Sequence, residues 1–357
     1  PACVTANACS DGTADAIRER FPEVTLLDSP HNLGGCGGFN AAVLAALADG
    51  APYVCLIDDD ALPDTACIEQ LADFLDDRPH YAFAAPAIAI SSEACTLQET
   101  GGGVVFAREV PVQAWNRFVT RPKLPPVLDI DYASACTLLV RSDAIMRTGV
   151  MDWSYFIFSD DVDWSLRLRR AWGPGVCVTT ARAEHDFPWA KPFAPMRLYY
   201  FQRNALYLFS KLRVKDPTLK SIRYTLLRIV RDGLTASAVG DHEIARTLWA
   251  ALRDAWRGRR GEWRDRVTFP AGRDCLTADD MRANGIRRVL LNIHVEAYAT
   301  EALRVIRALC GDGVLVDLLC DAQRVEHFRA QARYRAVLPR QPGGLNAVRH
   351  YRALRGQ

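Results

Sequence analysis

The stretch Pro52-Tyr-Val-Cys-Leu-Ile-Asp-Asp-Asp60 is the one around which the predicted fold is arranged. Its first half is a short apolar run with the strand-forming residues Tyr53, Val54 and Ile57, and such a run is typical of a buried parallel strand. Its second half places three carboxylates where that strand leaves the sheet. Ligands of open α/β sheets bind at the carboxyl ends of the strands, so the sequence predicts a ligand site here.

Three adjacent carboxylates repel one another in a packed site unless a cation offsets their charge. Asp58 and Asp60 have the spacing to hold one divalent ion from the same side. Mg²⁺ or Mn²⁺ suits such a site, because both ions prefer oxygen ligands and keep positions open for a phosphorylated substrate. The alternative is a solvated acidic turn before a helix that begins near Asp64.

The composition describes a chain of 357 residues that can form a substantial core and more than one domain. Hydrophobic content of 49% and charged content of 24% are ordinary for a globular protein. The formal net charge of +2 is too small to argue for a nucleic-acid partner. The 11 cysteines form no CxxC pair, so we expect reduced thiols and a cytoplasmic location.

Strand and helix patterns alternate along the first ninety or so residues, which predicts a mostly parallel, doubly wound sheet. The glycine-dense segment Asn32-Leu-Gly-Gly-Cys-Gly-Gly-Phe-Asn40 is expected to be a loop that leads into a helix over residues 41–49. Its glycines allow a ligand close to the backbone, and the helix N-terminus favours a diphosphate. A tight turn packed under the sheet is the alternative.

A second acidic segment lies at Trp153–Arg167, where an aromatic run ends in Asp160 and Asp161. These carboxylates are expected to begin a helix, whose N–H groups and dipole stabilise negative charge. An ordinary acidic helix start and a general base both fit this pattern. Asp163 is expected to form a surface pair with Arg167, one helical turn away.

His185 follows a predicted strand at residues 176–180. A lone histidine is usually a structural group, and metal ligation is the alternative. Residues 132–140 are expected to form a buried strand. A long helical region begins at Tyr199 and continues to about Gly261; its arginine-rich faces predict either a solvated surface or contact with an anionic membrane.

The pattern restarts near Arg287, with strands expected at 289–293 and 314–319 and helices at 301–309 and 322–332. No closing strand is expected after the last of these helices. The pattern therefore predicts the start of a second α/β domain that is cut short.

Together, these motifs resemble the family 2 glycosyltransferases of the GT-A type, and most closely the bacterial galactofuranosyl- and rhamnosyltransferase branch. The motifs follow the family's order over residues 1–265 and are Asn32–Phe39, Asp58–Asp60, Phe156–Arg167, His185 and Tyr199–Asn204. The resemblance implies a GT-A domain at 1–205 that lacks its first strand, a helical extension at 206–268 and the start of a Rossmann-like domain at 285–357.

The resemblance implies an inverting transfer of a sugar from a UDP- or dTDP-sugar to a cell-surface glycan or lipid-linked acceptor, with Mn²⁺ or Mg²⁺ as cofactor. Asp58 and Asp60 match the DxD aspartates, and His185 matches the histidine that completes the metal site. Asp161 matches the catalytic base, and Asp160 lies where the acceptor is oriented. The implied donor-binding residues are Asn7, Asn32, Gly34, Gly35, Asp58 and Asp59. The implied location is the cytoplasm, with peripheral contact at the inner face of the cell membrane.

Three departures from the family pattern leave alternatives open. A first βα unit of roughly 30 residues is expected ahead of residue 1. Ala6 replaces an aspartate of the donor site, and Ala135-Cys136 replace the paired tryptophans of galactofuranosyl polymerases. An impaired or non-catalytic nucleotide-binding module is therefore the alternative function. A nucleotidyltransferase would carry a glycine-rich, basic N-terminal loop, which the sequence lacks.

Overall fold

The computed structural model divides into two units, residues 1–187 with 195–265 and residues 188–194 with 266–357. Each unit is treated by itself. The residues whose structure is described are 2–90, 93–105, 110–113, 119–120, 124–185, 195–211, 217–263, 288–292, 315–320, 325–330 and 334–339.

The first unit alternates strands and helices up to residue 90, as its hydrophobic pattern predicts. Its strands are β1 (Cys3–Asn7), β2 (Thr25–Ser29), β3 (Tyr53–Ile57), β4 (Ala61–Pro63), β5 (Phe83–Ile90), β6 (Glu93–Glu99), β7 (Gly102–Val105), β8 (Val110–Gln113), β9 (Val119–Thr120), β10 (Val127–Ile130), β11 (Thr137–Arg141) and β12 (Gly175–His185). Its helices are α1 (Thr13–Arg20), α2 (Gly34–Ala48), α3 (Cys67–Asp77), α4 (Ser142–Thr148), α5 (Asp160–Ala171), α6 (Pro195–Lys211), α7 (Pro217–Val239) and α8 (His242–Trp256).

The central sheet has the strand order β10-β12-β5-β11-β3. Strands β5 and β12 are parallel, whereas β11 is antiparallel to both of its neighbours, β5 and β3. The predicted α/β class is therefore confirmed, and the sheet is mixed. Strands β3, β5 and β12 point the same way, so their carboxyl ends share one edge. Strands β1 and β2 pair in parallel as a separate sheet.

Helices cover both faces of the central sheet. Successive side chains of a strand point to opposite faces, so a strand with apolar residues throughout needs a packing partner on each side. On β11, Leu138 and Val140 pack on the side of α2, α4 and α5, whereas Leu139 packs against α3 on the other side. All eight residues of β5 are buried. Burial of each large aliphatic side chain contributes about 1.5–3 kcal/mol to this core.

The expectation of a glycine loop over residues 32–40 is wrong, because helix α2 begins at Gly34. Two asparagine side chains satisfy N–H groups at its start: Asn32 Oδ1 accepts from Gly34 N at 2.8 Å, and Asn7 Oδ1 accepts from Leu33 N at 2.7 Å. These are the donors that a helix N-terminus leaves without intrahelical partners.

The glycines of α2 serve close packing. Gly34 has φ +72°, and a Cβ there would overlap the carbonyl of Phe156. A Cβ on Gly37 would lie 3.2 Å from the ring of Trp153. The segment is glycine-rich because the start of α2 lies directly against the chain that precedes α5.

Two further expectations are corrected. The strand expected over residues 132–140 begins only at Thr137, because residues before it turn and Tyr132 forms an isolated bridge with Gly102. Asp163 does pair with Arg167, at 2.8 Å, but its side chain is 4% exposed and so does not lie on the surface. Lys211 of α6 also lies 2.8 Å from Asp163, so this buried carboxylate has two cationic partners.

The predicted helical region consists of α6, α7 and α8, which pack on one another. Among the helices that the structure describes, none is long and apolar enough to cross a membrane.

The second unit contains a three-stranded parallel sheet, β13-β14-β15, with one described helix. These elements are β13 (Arg288–Asn292), β14 (Leu315–Cys320), α9 (Val325–Arg329) and β15 (Ala336–Pro339). The expectation that no strand follows the last helix is wrong, because β15 pairs with β14. The helix expected at 301–309 lies outside the described residues. The predicted domain boundaries stay a prediction.

Candidate functional site

The carboxylate triplet leaves the sheet directly after β3, which ends at Ile57. Asp58 is fixed by its backbone, whose N–H donates to Cys136 O at 3.0 Å. Strand β4 then pairs with the end of β12, so that Ala61 lies opposite His185. This register brings the preceding residue, Asp60, to His185, with 3.1 Å between Oδ1 and Nε2.

Asp58, Asp60 and His185 each offer one ligand atom, and these atoms all lie within 4.8 Å of one another. Burial raises the pKa of Asp58 to about 6; His185 opposes this rise, whereas the charges of Asp60 and Asp59 add to it. A divalent cation would remove this repulsion. The two carboxylates supply the oxygen ligands that Mn²⁺ or Mg²⁺ prefers, and His185 supplies a third ligand atom, so the residues fit a divalent ion.

Gln98 adjoins the other side of the histidine ring. Its Nε2 lies 2.9 Å from His185 Nδ1. Its Oε1 is buried and makes no hydrogen bond within the described part of the chain. Since amide oxygen and nitrogen are told apart by their hydrogen bonds, a turned amide would let Nδ1–H donate to Oε1. The ring would then present an unprotonated Nε2, as a metal ligand requires.

The second acidic pair begins α5. Asp160 is 8% exposed. Burial and, after it, the charge of Asp161 raise the pKa of Asp160, while backbone N–H groups of both residues oppose that rise. Asp161 is partly exposed, and its Oδ1 accepts from Val162 N at 2.7 Å. The charge of Asp161 also raises the pKa of Asp58, so the two acidic segments act on each other.

Comparison with known proteins identifies the first part of this chain. Residues 3–120 match the model of glycosyl transferase family 2. This part of the chain is therefore similar to family 2 glycosyltransferases. The match includes Asp58 and Asp60 but ends before Asp160 and His185. The α/β fold of the GT-A type that the resemblance predicts agrees with this family and with the mixed sheet.

Curated proteins that are similar to this chain include two mycobacterial transferases. The chain is 31% identical over 188 residues to a galactofuranosyltransferase of Mycobacterium tuberculosis, covering 48% of this chain and 57% of that one. It is 28% identical over 200 residues to the N-acetylglucosaminyl-diphospho-decaprenol L-rhamnosyltransferase of the same species, covering 50% and 64%. The chain thus spans between half and two thirds of the length of these relatives.

Solved structures resemble the chain more distantly. A mannosyltransferase of Pyrobaculum calidifontis, in complex with GDP-Man and Mn²⁺, has a TM-score of 0.40 and 14% identity, covering 73% of this chain and 66% of that one.

Four further predicted donor residues lie at or against the start of α2: Asn7, Asn32, Gly34 and Gly35. Asn7 Nδ2 donates to Gly34 O at 3.0 Å, so the side chains of Asn7 and Asn32 bind chain atoms there. A Cβ on Gly35 would contact Ile157 at 3.7 Å. Asp59 is exposed and is not one of the three grouped ligand residues.

The start of α2 also contacts the start of α5. Cys36 N donates to Phe156 O at 3.1 Å. Burial, and after it the nearby charges of Asp160 and Asp152, raise the pKa of the Cys36 thiol. Gly34 and Gly35 therefore lie against the same short turn that leads into the acidic pair of α5.

Sequence reasoning missed three buried polar residues of this region: Gln98, Arg203 and Asn204. Nothing local marks Gln98, because its partner His185 is distant in the chain. Arg203 and Asn204 belong to the motif Tyr199–Asn204, but no role was assigned to them. The feature that could have revealed them is their position in the helix, since these two adjacent polar residues lie on the buried face of α6.

Proposed function

We propose that the chain is an inverting glycosyltransferase that transfers a sugar from a nucleoside-diphosphate donor to an acceptor hydroxyl. The observation that carries the proposal is the arrangement at the carboxyl edge of β3 and β12: a cluster of three metal-type ligands within electrostatic reach of the Asp160–Asp161 pair. The match of residues 3–120 to the model of glycosyl transferase family 2 supports the same activity.

Asp58, Asp60 and His185 would hold Mn²⁺ or Mg²⁺. When bound, the ion neutralises the charge that develops on the departing diphosphate. Asp161 takes the proton of the acceptor hydroxyl as its oxygen attacks the anomeric carbon. Its partial exposure suits this role, because the acceptor must reach it. The bond to the acceptor oxygen forms while the bond to the diphosphate oxygen breaks on the opposite face, which inverts the sugar.

The other residues would orient the two substrates. Asp160 is buried behind Asp161 and orients the acceptor side. Donor contacts are proposed for Asp59 and for the group at the start of α2. That group consists of Asn7, Asn32, Gly34 and Gly35. Because the two asparagine side chains bind the chain itself, their part is to hold the backbone of α2 in place for the donor.

By their names, one relative transfers galactofuranose and the other transfers rhamnose to N-acetylglucosaminyl-diphospho-decaprenol. For this chain we propose a UDP- or dTDP-sugar donor and a glycan or lipid-linked acceptor. A lipid-linked acceptor requires contact with a membrane. Helix α7 offers a face for this contact: Tyr224, Leu227 and Leu234 are 46%, 62% and 58% exposed, beside the exposed Arg223 and Arg231. Apolar side chains flanked by arginines favour an anionic lipid surface, and we propose the inner face of the cell membrane.

The test is sugar transfer by wild type and by Asp161→Asn, with UDP- and dTDP-linked galactofuranose and rhamnose, with Mn²⁺ or with EDTA. Asp73→Asn, which removes an exposed carboxylate on α3, is the matched control. We expect Mn²⁺-dependent transfer by wild type and control, and a loss of at least about a hundredfold in Asp161→Asn. Transfer by Asp161→Asn at the wild-type rate excludes Asp161 as the base.

A non-catalytic nucleotide-binding module is the second candidate. It is favoured by Ala6, which is 1% exposed and places a methyl group where the family pattern has a carboxylate. Calorimetry with UDP and dTDP in the presence of Mn²⁺ separates the two. Tight binding without turnover of any donor supports the binding module.

A further inference from the structure

The turn that leads into α5 has a strained backbone. Phe156, Phe158 and Ser159 have φ of +67°, +67° and +66°, a left-handed region that side chains other than glycine seldom adopt. Ser159 is the N-cap of α5 and makes no side-chain capping bond. Whatever holds this turn also sets the position of Asp160 and Asp161, which follow it directly.

Asn204 of α6 binds the carbonyls of this turn. Its Nδ2 donates to Tyr155 O at 3.1 Å, to Ile157 O at 2.7 Å and to Phe158 O at 2.8 Å. The side chain is fully buried, with 0% exposure. Because an amide nitrogen carries two hydrogens, three acceptors share them. The three carbonyls can all accept from this one amide only while the backbone of the turn keeps its positive φ angles.

Arg203 fixes the orientation of that amide. Its Nε donates to Asn204 Oδ1 at 2.9 Å, so the Nδ2 end of Asn204 faces the turn. Its Nη2 donates to Tyr155 O at 3.0 Å and its Nη1 to Gly261 O at 2.6 Å. Arg203 is 1% exposed. A guanidinium fork gives these bonds a fixed geometry.

A further carbonyl of the turn is bound by α2. Phe156 O accepts from Cys36 N of α2, at 3.1 Å. Aromatic stacking adds to the attachment, since the rings of Phe156 and Tyr200 lie 5.3 Å apart and those of Phe158 and Phe201 lie 4.3 Å apart. The turn is thus held between α2 and α6.

We propose that Asn204, oriented by Arg203, is a positioning residue: it clamps the turn at 155–159 in its left-handed conformation and thereby sets where the acidic pair lies relative to Asp58. The catalytic consequence rests on the proposed function, whereas the clamp itself does not. Displacement of a reacting group by about 1 Å costs on the order of a hundredfold in rate.

Asn204→Asp tests the clamp, because it keeps the shape and the acceptor for Arg203 but removes the N–H donors. Gln202→Ala is the matched control: Gln202 is a buried amide of the same helix, bound to Arg228 at 2.8 Å. We expect faster amide exchange over residues 34–37 and 154–163 in Asn204→Asp but not in the control. Asn204→Ser, which keeps one donor, serves if Asn204→Asp does not fold.

A glycine rescue separates positioning from general stability. Glycine adopts positive φ without strain, so Ser159→Gly in the Asn204→Asp background is expected to restore slow exchange. In a transferase assay, we expect kcat to fall by about a hundredfold in Asn204→Asp, donor KM and Mn²⁺ affinity to stay within about twofold, and Ser159→Gly to recover at least about tenfold of kcat.

The failures of the two proposals are distinguishable. If wild type transfers no sugar, the proposed function fails while amide exchange still tests the clamp. Exchange in Asn204→Asp that equals wild type overturns the clamp. A kcat loss that Ser159→Gly does not recover, or that Gln202→Ala reproduces, also overturns it, because both results indicate general destabilisation.

Discussion

Asp58→Asn is expected to stabilise the protein in the absence of metal and to abolish its stabilisation by Mn²⁺. Burial raises the pKa of Asp58 from 3.8 to about 6. An unfolded chain therefore ionises this group between about pH 4 and pH 6 while the folded chain still holds the proton, and stability falls as pH rises through that window. Above it, the cost of the buried charge stays constant.

The magnitude follows from the pKa. Each tenfold change in proton affinity corresponds to about 1.4 kcal/mol, so the rise to about 6 opposes folding by about 3 kcal/mol at pH 8. This is an upper bound for the gain from asparagine, because the amide must also be desolvated. At roughly 2–4 °C per kcal/mol, Tm would rise by up to about 6–12 °C.

Thermal unfolding with EDTA, measured between about pH 4 and pH 8, checks this. The advantage of Asp58→Asn over wild type should be near zero at the acid end and largest above pH 6. With Mn²⁺ at about a hundred times its Kd, wild type should gain about 2.7 kcal/mol and the variant nothing. The exposed Asp73→Asn should follow wild type throughout. An advantage of Asp58→Asn that does not depend on pH, or an unchanged response to Mn²⁺, would refute the reasoning.

Three further predictions concern other parts of the fold. Gln98→Met should weaken Mn²⁺ binding by about 10–100-fold in calorimetry, because the amide orients the His185 ring; unchanged affinity would exclude that role. Gly34→Ala should destabilise the chain by more than about 2 kcal/mol in urea unfolding, since the new Cβ overlaps Phe156. Gly50 has the same φ of +72° but open space around it, so Gly50→Ala should lower the free energy of unfolding by less. Equal losses in the two variants would mean that backbone strain alone, and not the overlap with Phe156, causes the destabilisation. Leu227→Glu should reduce sedimentation with phosphatidylglycerol vesicles but leave transfer to a water-soluble acceptor unchanged, and undiminished sedimentation would exclude that face of α7.

The sequence predicts elements whose signal is local. The apolar run before Asp58 predicts β3, and the acidic start after Phe158 predicts α5, because a strand and a helix N-terminus each have a recognisable pattern over a few residues. The start of α2 was predicted wrongly because the local pattern there is misleading. Glycines disfavour a helix locally, but packing against Phe156 and Trp153 outweighs that propensity.

Groups that meet across the chain could not be predicted from local patterns. The burial of Asp163 depends on Lys211, and the contact of Gln98 with His185 depends on the path of β6 and β12. The pairing of Asp58 with Asp60 was expected from their spacing, whereas the addition of His185 was expected only through family resemblance. Its geometry comes from the register of β4 against β12, which no single segment specifies.

The pairing of β4 with β12 has a consequence for the order of folding. Ala61 and His185 lie opposite each other, so their contact closes a loop of roughly 120 residues, and the entropy lost on closure must be recovered by the sheet that forms between them. Partly folded chains can hold β3 and its carboxylates without the imidazole. The grouping of Asp58, Asp60 and His185 therefore forms only once β12 has docked, and any metal affinity that depends on all three residues is a property of the completed sheet.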